Sequence, residues 1–177
     1  MDCVFDAFCL AAQREAEELI EKSDVLSVRA LPPAPPSRFL LQFRVPYLRR
    51  TIRHTIEVAP GPVEAIVHFP ADYLLGTTPQ LWFRVISITT AGFVHPNVRD
   101  GVVCLGAQFT PGTPLRILIR TLYDLVTYHT MTLDERNAMD PEICRLLRAD
   151  PQILHSLSAP PLTRRTHRVT IKEAGVR

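Results

Sequence analysis

Hydrophobic residues recur along the chain with two different periods, which separate helical from extended parts. Spacings of three and four over residues 2–22 predict an amphipathic helix with the apolar positions Val4, Phe8, Ala12, Ala16 and Leu19. Between residues 25 and 87, short β-branched and aromatic runs alternate with turn residues, and these runs read VLSVRAL, RFLLQFRV, VEAIVHF and LWFRVIS. Because no helical pattern lies between them, we predict an antiparallel meander of four strands rather than βαβ units.

Two segments inside the predicted meander need their own interpretation. PPAPPS (32–37) predicts a turn, because proline has no N–H to donate to a sheet. RRTIRHTIEV (49–58) fits either a continuation of the second strand or a separate hairpin arm, and the pattern does not choose between them.

The second half of the chain begins with a long segment that shows neither the helical nor the extended hydrophobic pattern. Residues 91–113 are interrupted by glycine and proline, which predicts a long loop. Two helices follow, and each is introduced by an N-cap residue with proline after it, Thr113-Pro114 and Asp140-Pro141. The first of them has an apolar face made of Leu115, Leu118, Leu122, Leu125 and Val126. This order of elements predicts an α+β fold, with one domain over 1–158 and a C-terminal tail over 159–177.

Composition and charge narrow the classes of function. The chain is 46% hydrophobic and carries a net charge of only +2, which argues against a dedicated nucleic-acid-binding protein. The basic segments YLRRTIRH (47–54) and TRRTHR (163–168) are therefore interpreted as solvated surface or as partner contacts. No apolar run approaches the roughly 18–20 residues of a membrane span, and no basic leader precedes the first helix, so the expected location is the cytoplasm.

The four cysteines are too scattered for a disulfide framework, and none forms a CxxC pair that would indicate a metal site. Cys3, Cys9 and Cys144 lie in predicted helices among apolar neighbours, which predicts burial. Cys104 differs, because it lies in the predicted long loop within HPNVRDGVVCLG (95–106). From its position alone, Cys104 is a core residue, a metal ligand or a nucleophile.

Three kinds of catalytic thiol are compatible with Cys104. A cysteine hydrolase needs a base, for which His95 and His129 are the candidates. A redox thiol needs a resolving cysteine, and none lies close by in the sequence. A thiol that exchanges acyl groups needs a nearby amide for the oxyanion and no strong base that would activate water.

The last kind agrees with a family resemblance. HPNVRDGVVCLG resembles the active-site signature of ubiquitin-conjugating enzymes, and FPADY (69–73) with Pro79 is similar to that family's Phe-Pro-Tyr-Pro segment. Pro114 falls where the family's proline opens the helix behind the active site, and the predicted order of elements is that of the family fold. The resemblance covers residues 2–155 and implies the ubiquitin-conjugating enzyme fold.

The resemblance also implies an activity and roles for the residues of the signature. Cys104 would accept the C-terminus of a ubiquitin-like protein from an activating enzyme as a thioester and pass it to an amine of a target protein, without a cofactor or a metal. Asn97 would stabilise the oxyanion or brace the loop, while His95 and Pro96 would hold the loop in shape. The alternative is a catalytically silent adaptor that binds a ubiquitin-like protein, although such adaptors typically lose this cysteine.

In the family, an acidic residue after the first active-site helix helps the incoming amine to lose its proton. Asp134 is the predicted residue here, in preference to Glu135 and to Asp140, which is better explained as an N-cap. His129 and Tyr128 are further candidates at the end of the preceding helix.

The chain departs from the family pattern at several positions, as at Leu74, where the family has proline, and Gly112, where it has tryptophan. The segment YDLVTYHTMTLDERNAMDPE (123–142) is more similar to bacterial members. Those members work in operons with an activating enzyme and a ubiquitin-like protein, in some cases for phage defence.

Overall fold

An α+β fold is observed in the computed structural model, which describes residues 3–75, 85–105 and 110–164. The helices of this part of the chain are α1 (Cys3–Glu21), α2 (Leu115–Val126), α3 (Pro141–Ala149) and a 3-10 helix (Pro151–Leu157). Its strands are β1 (Leu26–Leu31), β2 (Arg38–Phe43), β3 (Tyr47–Arg50), β4 (Ile56–Ala59), β5 (Val63–His68), β6 (Ile86–Ile88), β7 (Val98–Arg99) and β8 (Val102–Val103). None of the described helices is long and apolar enough to cross a membrane.

The main sheet is antiparallel and has the strand order β1-β2-β5-β6-β8-β7. Strands β1, β2 and β5 correspond to the first three predicted strands. Strand β6 shares only Ile86 and Ser87 with the fourth predicted strand (81–87), because Val85 is helical, and Pro79 and residues 81–84 lie outside the described residues. The predicted number of four strands is wrong, because β7 and β8 pair across a turn at Asp100-Gly101 within the predicted loop. Both turn residues have positive φ, 51° and 78°, as a tight hairpin requires. Two-residue strands are too short to produce a visible period.

The segment 49–58 belongs to a separate hairpin, which decides between the two sequence interpretations. Strands β3 and β4 pair only with each other within the described sheets. The hairpin is nevertheless attached to the segment before His95, because the Arg50 N–H donates to the Gly92 carbonyl (2.7 Å) and the Val94 N–H donates to the Leu48 carbonyl (3.1 Å). Gly92 has a φ of 73°, and a Cβ there would lie 2.7 Å from the Arg50 carbonyl oxygen. This close approach therefore requires glycine.

The core agrees with most of the predicted helical faces. The five apolar residues predicted on the first helix after the loop are all buried in α2. On α1 the buried residues are Cys9, Ala12, Ala16 and Leu19. Val4 was predicted on the same face but is 63% exposed, and Cys3 is exposed too, because burial on α1 begins only one turn later.

The two predicted helix starts have different outcomes. The Asp140 carboxylate accepts from the N–H groups of Glu142 (3.1 Å) and Ile143 (3.3 Å), so this cap is confirmed. The prediction that Thr113 caps α2 is wrong, because Pro114 occupies the N-cap position and α2 begins at the next residue. The Thr113 hydroxyl instead donates to the Thr110 carbonyl (2.5 Å), while the Thr113 carbonyl accepts from the Tyr73 hydroxyl (3.0 Å).

The first residues of the predicted tail contact the rest of the fold. The Tyr123 hydroxyl donates to the Pro160 carbonyl, and the Arg164 N–H donates to the Lys22 carbonyl (2.8 Å). The Arg164 guanidinium also pairs with Asp24, and Leu162 is buried. Residues 165–177, including most of the second basic segment, lie outside the described part of the chain.

Candidate active site

Cys104 directly follows β8 and is held beside the His-Pro-Asn turn. Its N–H donates to the carbonyl of Asn97 (2.8 Å), and this hydrogen bond holds the backbones of the two residues next to each other. Cys104 is a partly exposed residue, whereas Cys9 and Cys144 are fully buried. Burial raises the pKa of Cys9 to about 11 and also raises that of Cys144, which suits neither for nucleophilic work. The geometry therefore favours Cys104 over both as a reactive thiol.

The His-Pro-Asn turn is built by contacts of its own residues. The Val98 N–H donates to the His95 carbonyl (3.0 Å), and the Asn97 N–H donates to Nδ1 of His95 (3.0 Å). The carbonyl of Pro96 accepts from the N–H groups of Met139 (2.8 Å) and Asp140 (3.1 Å), at the start of α3. His95 and Pro96 are both buried.

His95 lies in an aromatic layer. Its ring stacks on Phe93 (centroids 6.4 Å apart, interplanar angle 13°) and contacts Tyr128 (4.8 Å). Burial lowers the pKa of His95 to about 3, although the carbonyl of Thr130 opposes this shift. The ring is therefore neutral near pH 7, and its Nδ1 already accepts a hydrogen bond. His95 thus has no free lone pair at Nδ1 with which to take a proton from a thiol.

This buried histidine makes stability depend on pH. The unfolded chain protonates His95 below about pH 6.5, while the folded chain keeps it neutral, so the free energy of unfolding should fall by about 1.4 kcal/mol for each pH unit below that value. In His95→Asn, the side-chain oxygen can still accept from the Asn97 N–H, but the titrating imidazole is gone. We therefore expect the dependence of the unfolding free energy on pH to decrease by the contribution of one proton. The measurement is urea unfolding from about pH 7 to about pH 4.

A matched variant separates His95 from the other titrating groups. Burial also lowers the pKa of His68, which contributes a slope of the same sign. His68→Asn should therefore remove a smaller part of the slope than His95→Asn. Equal slopes in the wild type and in His95→Asn would contradict a buried neutral imidazole at this position.

The side chain of Asn97 connects the turn to the loop that follows α2. Its Oδ1 accepts from the Thr132 N–H (3.0 Å), so the amide braces this loop. With Oδ1 engaged in this way, the Nδ2 group forms no hydrogen bond within the described residues. Asn97 therefore combines a brace with an available donor on a residue that is hydrogen-bonded to Cys104.

The three acidic candidates have different surroundings. Asp134 is exposed, and its carboxylate accepts from the Arg136 N–H (3.0 Å) and from Nδ2 of Asn137 (2.8 Å). Its own N–H donates to the Thr132 hydroxyl (3.2 Å), which places Asp134 two residues beyond the contact with Asn97. The backbone N–H groups of Asp134 and Cys104 are thus connected through hydrogen bonds of Thr132 and Asn97.

The other acidic candidates have structural contacts. Glu135 pairs with Arg148 and, over 3.6 Å, with Arg145 of α3. Asp140 caps α3 and lies 3.6 Å from the Arg50 guanidinium. Both carboxylates are therefore oriented by contacts with α3. Asp134 differs, because the hydrogen-bond partners of its carboxylate lie in its own loop.

The two residues at the end of α2 also have clear positions. The Tyr128 hydroxyl accepts from the Leu48 N–H (3.3 Å) and donates to the Val94 carbonyl, and burial raises its pKa. Tyr128 therefore joins the hairpin to the segment before the turn. His129 is exposed, and its Nδ1 lies 3.1 Å from the Thr127 hydroxyl.

Sequence reasoning missed two residues that shape this site, Thr132 and Arg50. The Thr132 N–H donates to Asn97, which is 35 positions away in the sequence, and the Arg50 guanidinium donates to Glu142 of α3 (3.0 Å), which is 92 positions away. No local signal marks such contacts, because they depend on which loops meet after folding. Within the described residues, no group of three or more His, Cys, Asp or Glu side chains is placed to hold a metal ion.

The comparisons with known proteins add no family to this geometry. No model of a protein family matches the chain, and no curated protein matches its sequence.

Proposed function

We propose that the chain is a conjugating enzyme for a ubiquitin-like protein, with Cys104 as the residue that carries the thioester. The observation that supports this most is that Cys104 is a partly exposed residue whose backbone is hydrogen-bonded to Asn97, and that the amide donor of Asn97 is available while its side-chain oxygen accepts from Thr132. An acyl carrier needs an accessible sulfur and a hydrogen-bond donor for the oxyanion, and Cys104 and Asn97 are the residues proposed for these two roles.

The proposed reaction has two steps. The Cys104 thiolate attacks the thioester carbonyl carbon on the activating enzyme, a new C–S bond forms, and the activating enzyme's thiolate leaves. An amine of the target, which gives a proton to Asp134, then attacks the carbonyl carbon. The C–N bond forms, the C–S bond breaks, and the Cys104 thiolate leaves and takes up a proton. Thioester exchange is close to thermoneutral, so the task of the protein is mainly to position the reactants.

A cysteine hydrolase is less well supported by the same geometry. His95 is neutral and its Nδ1 is occupied, and Nδ1 of His129 lies against Thr127. Among the described residues, no side chain forms a hydrogen bond with the Cys104 thiol. A thiol without an attached base suits transfer to an amine better than activation of water.

The decisive experiment is a charging assay. The full chain is mixed with ATP and with an activating enzyme and a ubiquitin-like protein from the same bacterial genome, and the products are separated on a non-reducing gel. An ATP-dependent adduct that reductant removes supports the proposal. Tight binding of the ubiquitin-like protein without an adduct indicates the adaptor, and cleavage of a preformed conjugate indicates the hydrolase. We also propose that the chain acts in the bacterial cytoplasm, in an ATP-dependent pathway that serves phage defence.

We expect Asp134→Asn to slow transfer from Cys104 to a lysine amine by about tenfold, at the low end of what a proton acceptor contributes. Asparagine can still accept from the Arg136 N–H, so the loop is retained while the charge is lost. The measurement is single-turnover discharge of purified thioester into free lysine. Glu18→Gln, which removes an exposed carboxylate from α1, is the matched control.

An amine that is already neutral at the assay pH provides the second readout for Asp134. Such an amine need not lose a proton before it attacks, and the proton it loses afterwards can pass to water or to the leaving thiolate, so the deficit of Asp134→Asn should become smaller with it. An equal deficit with both amines would mean that Asp134 only shapes its loop.

A further inference from the structure

The β3–β4 hairpin has a base that is fixed to the rest of the fold. Leu48 is fully buried, and β3 bonds to residues 92 and 94 on its outer side. The Arg50 guanidinium donates to Glu142 (3.0 Å from each terminal nitrogen), which connects the hairpin to α3. These contacts hold the hairpin in one orientation, so a partner would meet a surface that is already ordered.

The tip of the hairpin, residues 51–55, is closed by hydrogen bonds of its own. The Thr51 N–H donates to the Thr55 carbonyl (2.8 Å), and the His54 N–H donates to the Thr51 carbonyl (2.9 Å). Ile52 at this tip is 100% exposed, more than any other large hydrophobic residue of the described chain. Ile52, Arg53 and Gly92 are among the residues that line a groove of about 860 Å³.

The charges around the tip are only partly compensated. Arg49 pairs with Glu57 over 2.5 Å, and Arg50 pairs with Glu142. Arg53, which follows Ile52, forms no ion pair with any described residue. The tip therefore presents an apolar side chain beside an uncompensated cation. A partner with a complementary surface would have an acidic side chain next to an apolar one.

The tip offers only one uncompensated positive charge, and this number decides which kind of anionic partner it can bind: a nucleic acid, a membrane or a protein segment. Nucleic acids are bound through several phosphate contacts, and one free arginine supplies only one. A single basic residue near an anionic membrane contributes about 1 kcal/mol, and stable anchoring requires more than one such signal. A protein segment is different, because a few residues supply most of the binding energy at a protein interface, and arginine is common among them.

We propose that the tip of the β3–β4 hairpin is a docking surface for an acidic segment, flanked by apolar residues, of the protein that receives the acyl group. The role as acceptor rests on the proposed conjugating function, while the docking surface does not. The location supports the assignment, because β3 is bonded to the segment that leads directly into His95 and Asn97. The exposed face of α1 carries Glu17, Glu18 and Glu21 and would repel such a segment.

Binding is tested first, with the full chain and without any thioester. The probe is a fluorescein-labelled synthetic peptide of alternating Glu and Leu with one lysine, and its counterpart has Gln in place of Glu. We expect the wild type to bind the Glu peptide in fluorescence anisotropy, and Arg53→Glu and Ile52→Ser each to weaken binding about tenfold. Arg29→Glu, at an exposed position of β1, makes the same charge change elsewhere and should bind like the wild type.

Transfer is tested second, by single-turnover discharge of the Cys104 thioester. Wild-type thioester should discharge faster into the Glu peptide than into the Gln peptide, and Arg53→Glu should remove this preference without changing discharge into free lysine. Equal peptide binding by the wild type and Arg53→Glu, or binding of phosphatidylserine vesicles in place of the peptide, would overturn the docking surface. Binding without a preference in discharge would overturn the acceptor role, and failure of charging itself would show separately on the gel.

Discussion

Serine in place of Cys104 is expected to hold the ubiquitin-like protein as an oxygen ester that survives reductant, whereas alanine is expected to form no adduct. The reason is chemical. A serine hydroxyl at the same position can still attack the activated carbonyl, but its alkoxide is a poorer leaving group than a thiolate, so the product accumulates. Alanine leaves no nucleophile at the end of β8. The measurement is the charging assay, run with and without reductant.

The other exposed cysteine of the described chain provides the control for this experiment. Cys3, at the start of α1, is accessible to the same reagents, so Cys3→Ala should charge and discharge like the wild type. A reducible adduct that persists in Cys104→Ala and vanishes in Cys3→Ala would sink the assignment of Cys104.

Aspartate in place of Asn97 is expected to slow discharge of the thioester into lysine by about a hundredfold, the size of effect seen when one oxyanion donor is removed. The substitution preserves the shape of the side chain and an oxygen that accepts from the Thr132 N–H. It removes the N–H donor that would face the oxyanion and adds a negative charge at the same place, and both changes disfavour the oxyanion. Discharge is measured in a single turnover from thioester that has already formed.

A comparison with Asn97→Ala separates the brace from the oxyanion role. Alanine removes the acceptor as well, so the Thr132 N–H loses its partner, and the free energy of unfolding should fall by about 1 kcal/mol in Asn97→Ala but not in Asn97→Asp. If Asn97→Asp discharges at the wild-type rate while Asn97→Ala is slow, Asn97 only braces the loop. This result would leave the oxyanion to another donor.

The sequence was most informative where a single segment determines its own structure. The apolar spacing of α2 and the Asp140-Pro141 start of α3 predicted both helices, because period and capping are local properties. The short runs that became β1, β2 and β5 were found in the same way. The strands β7 and β8 were missed, although Asp100-Gly101 is a hairpin signal that could have indicated them.

The residues of the candidate site were predicted from sequence, but their surroundings were not. The sequence placed Asn97 seven positions before Cys104 and left the brace and the oxyanion role equally open. The hydrogen bond from the Thr132 N–H shows that the brace exists and how the amide is turned. Likewise, Asp134 was chosen over Glu135 from sequence, and only the ion pairs of Glu135 with α3 explain why these neighbouring carboxylates differ.

By itself, the sequence determined the α+β class, the positions of the main helices and strands, and the loop thiol with its His-Pro-Asn turn. These follow from hydrophobic period, proline and capping, which act over a few residues. Only the tertiary structure decided that His95 is buried and neutral, that Tyr128 joins the hairpin to residue 94, and that Ile52 and Arg53 are presented together at an exposed tip. Burial and long-range hydrogen bonds depend on which distant segments pack against each other, and that arrangement is a property of the whole fold.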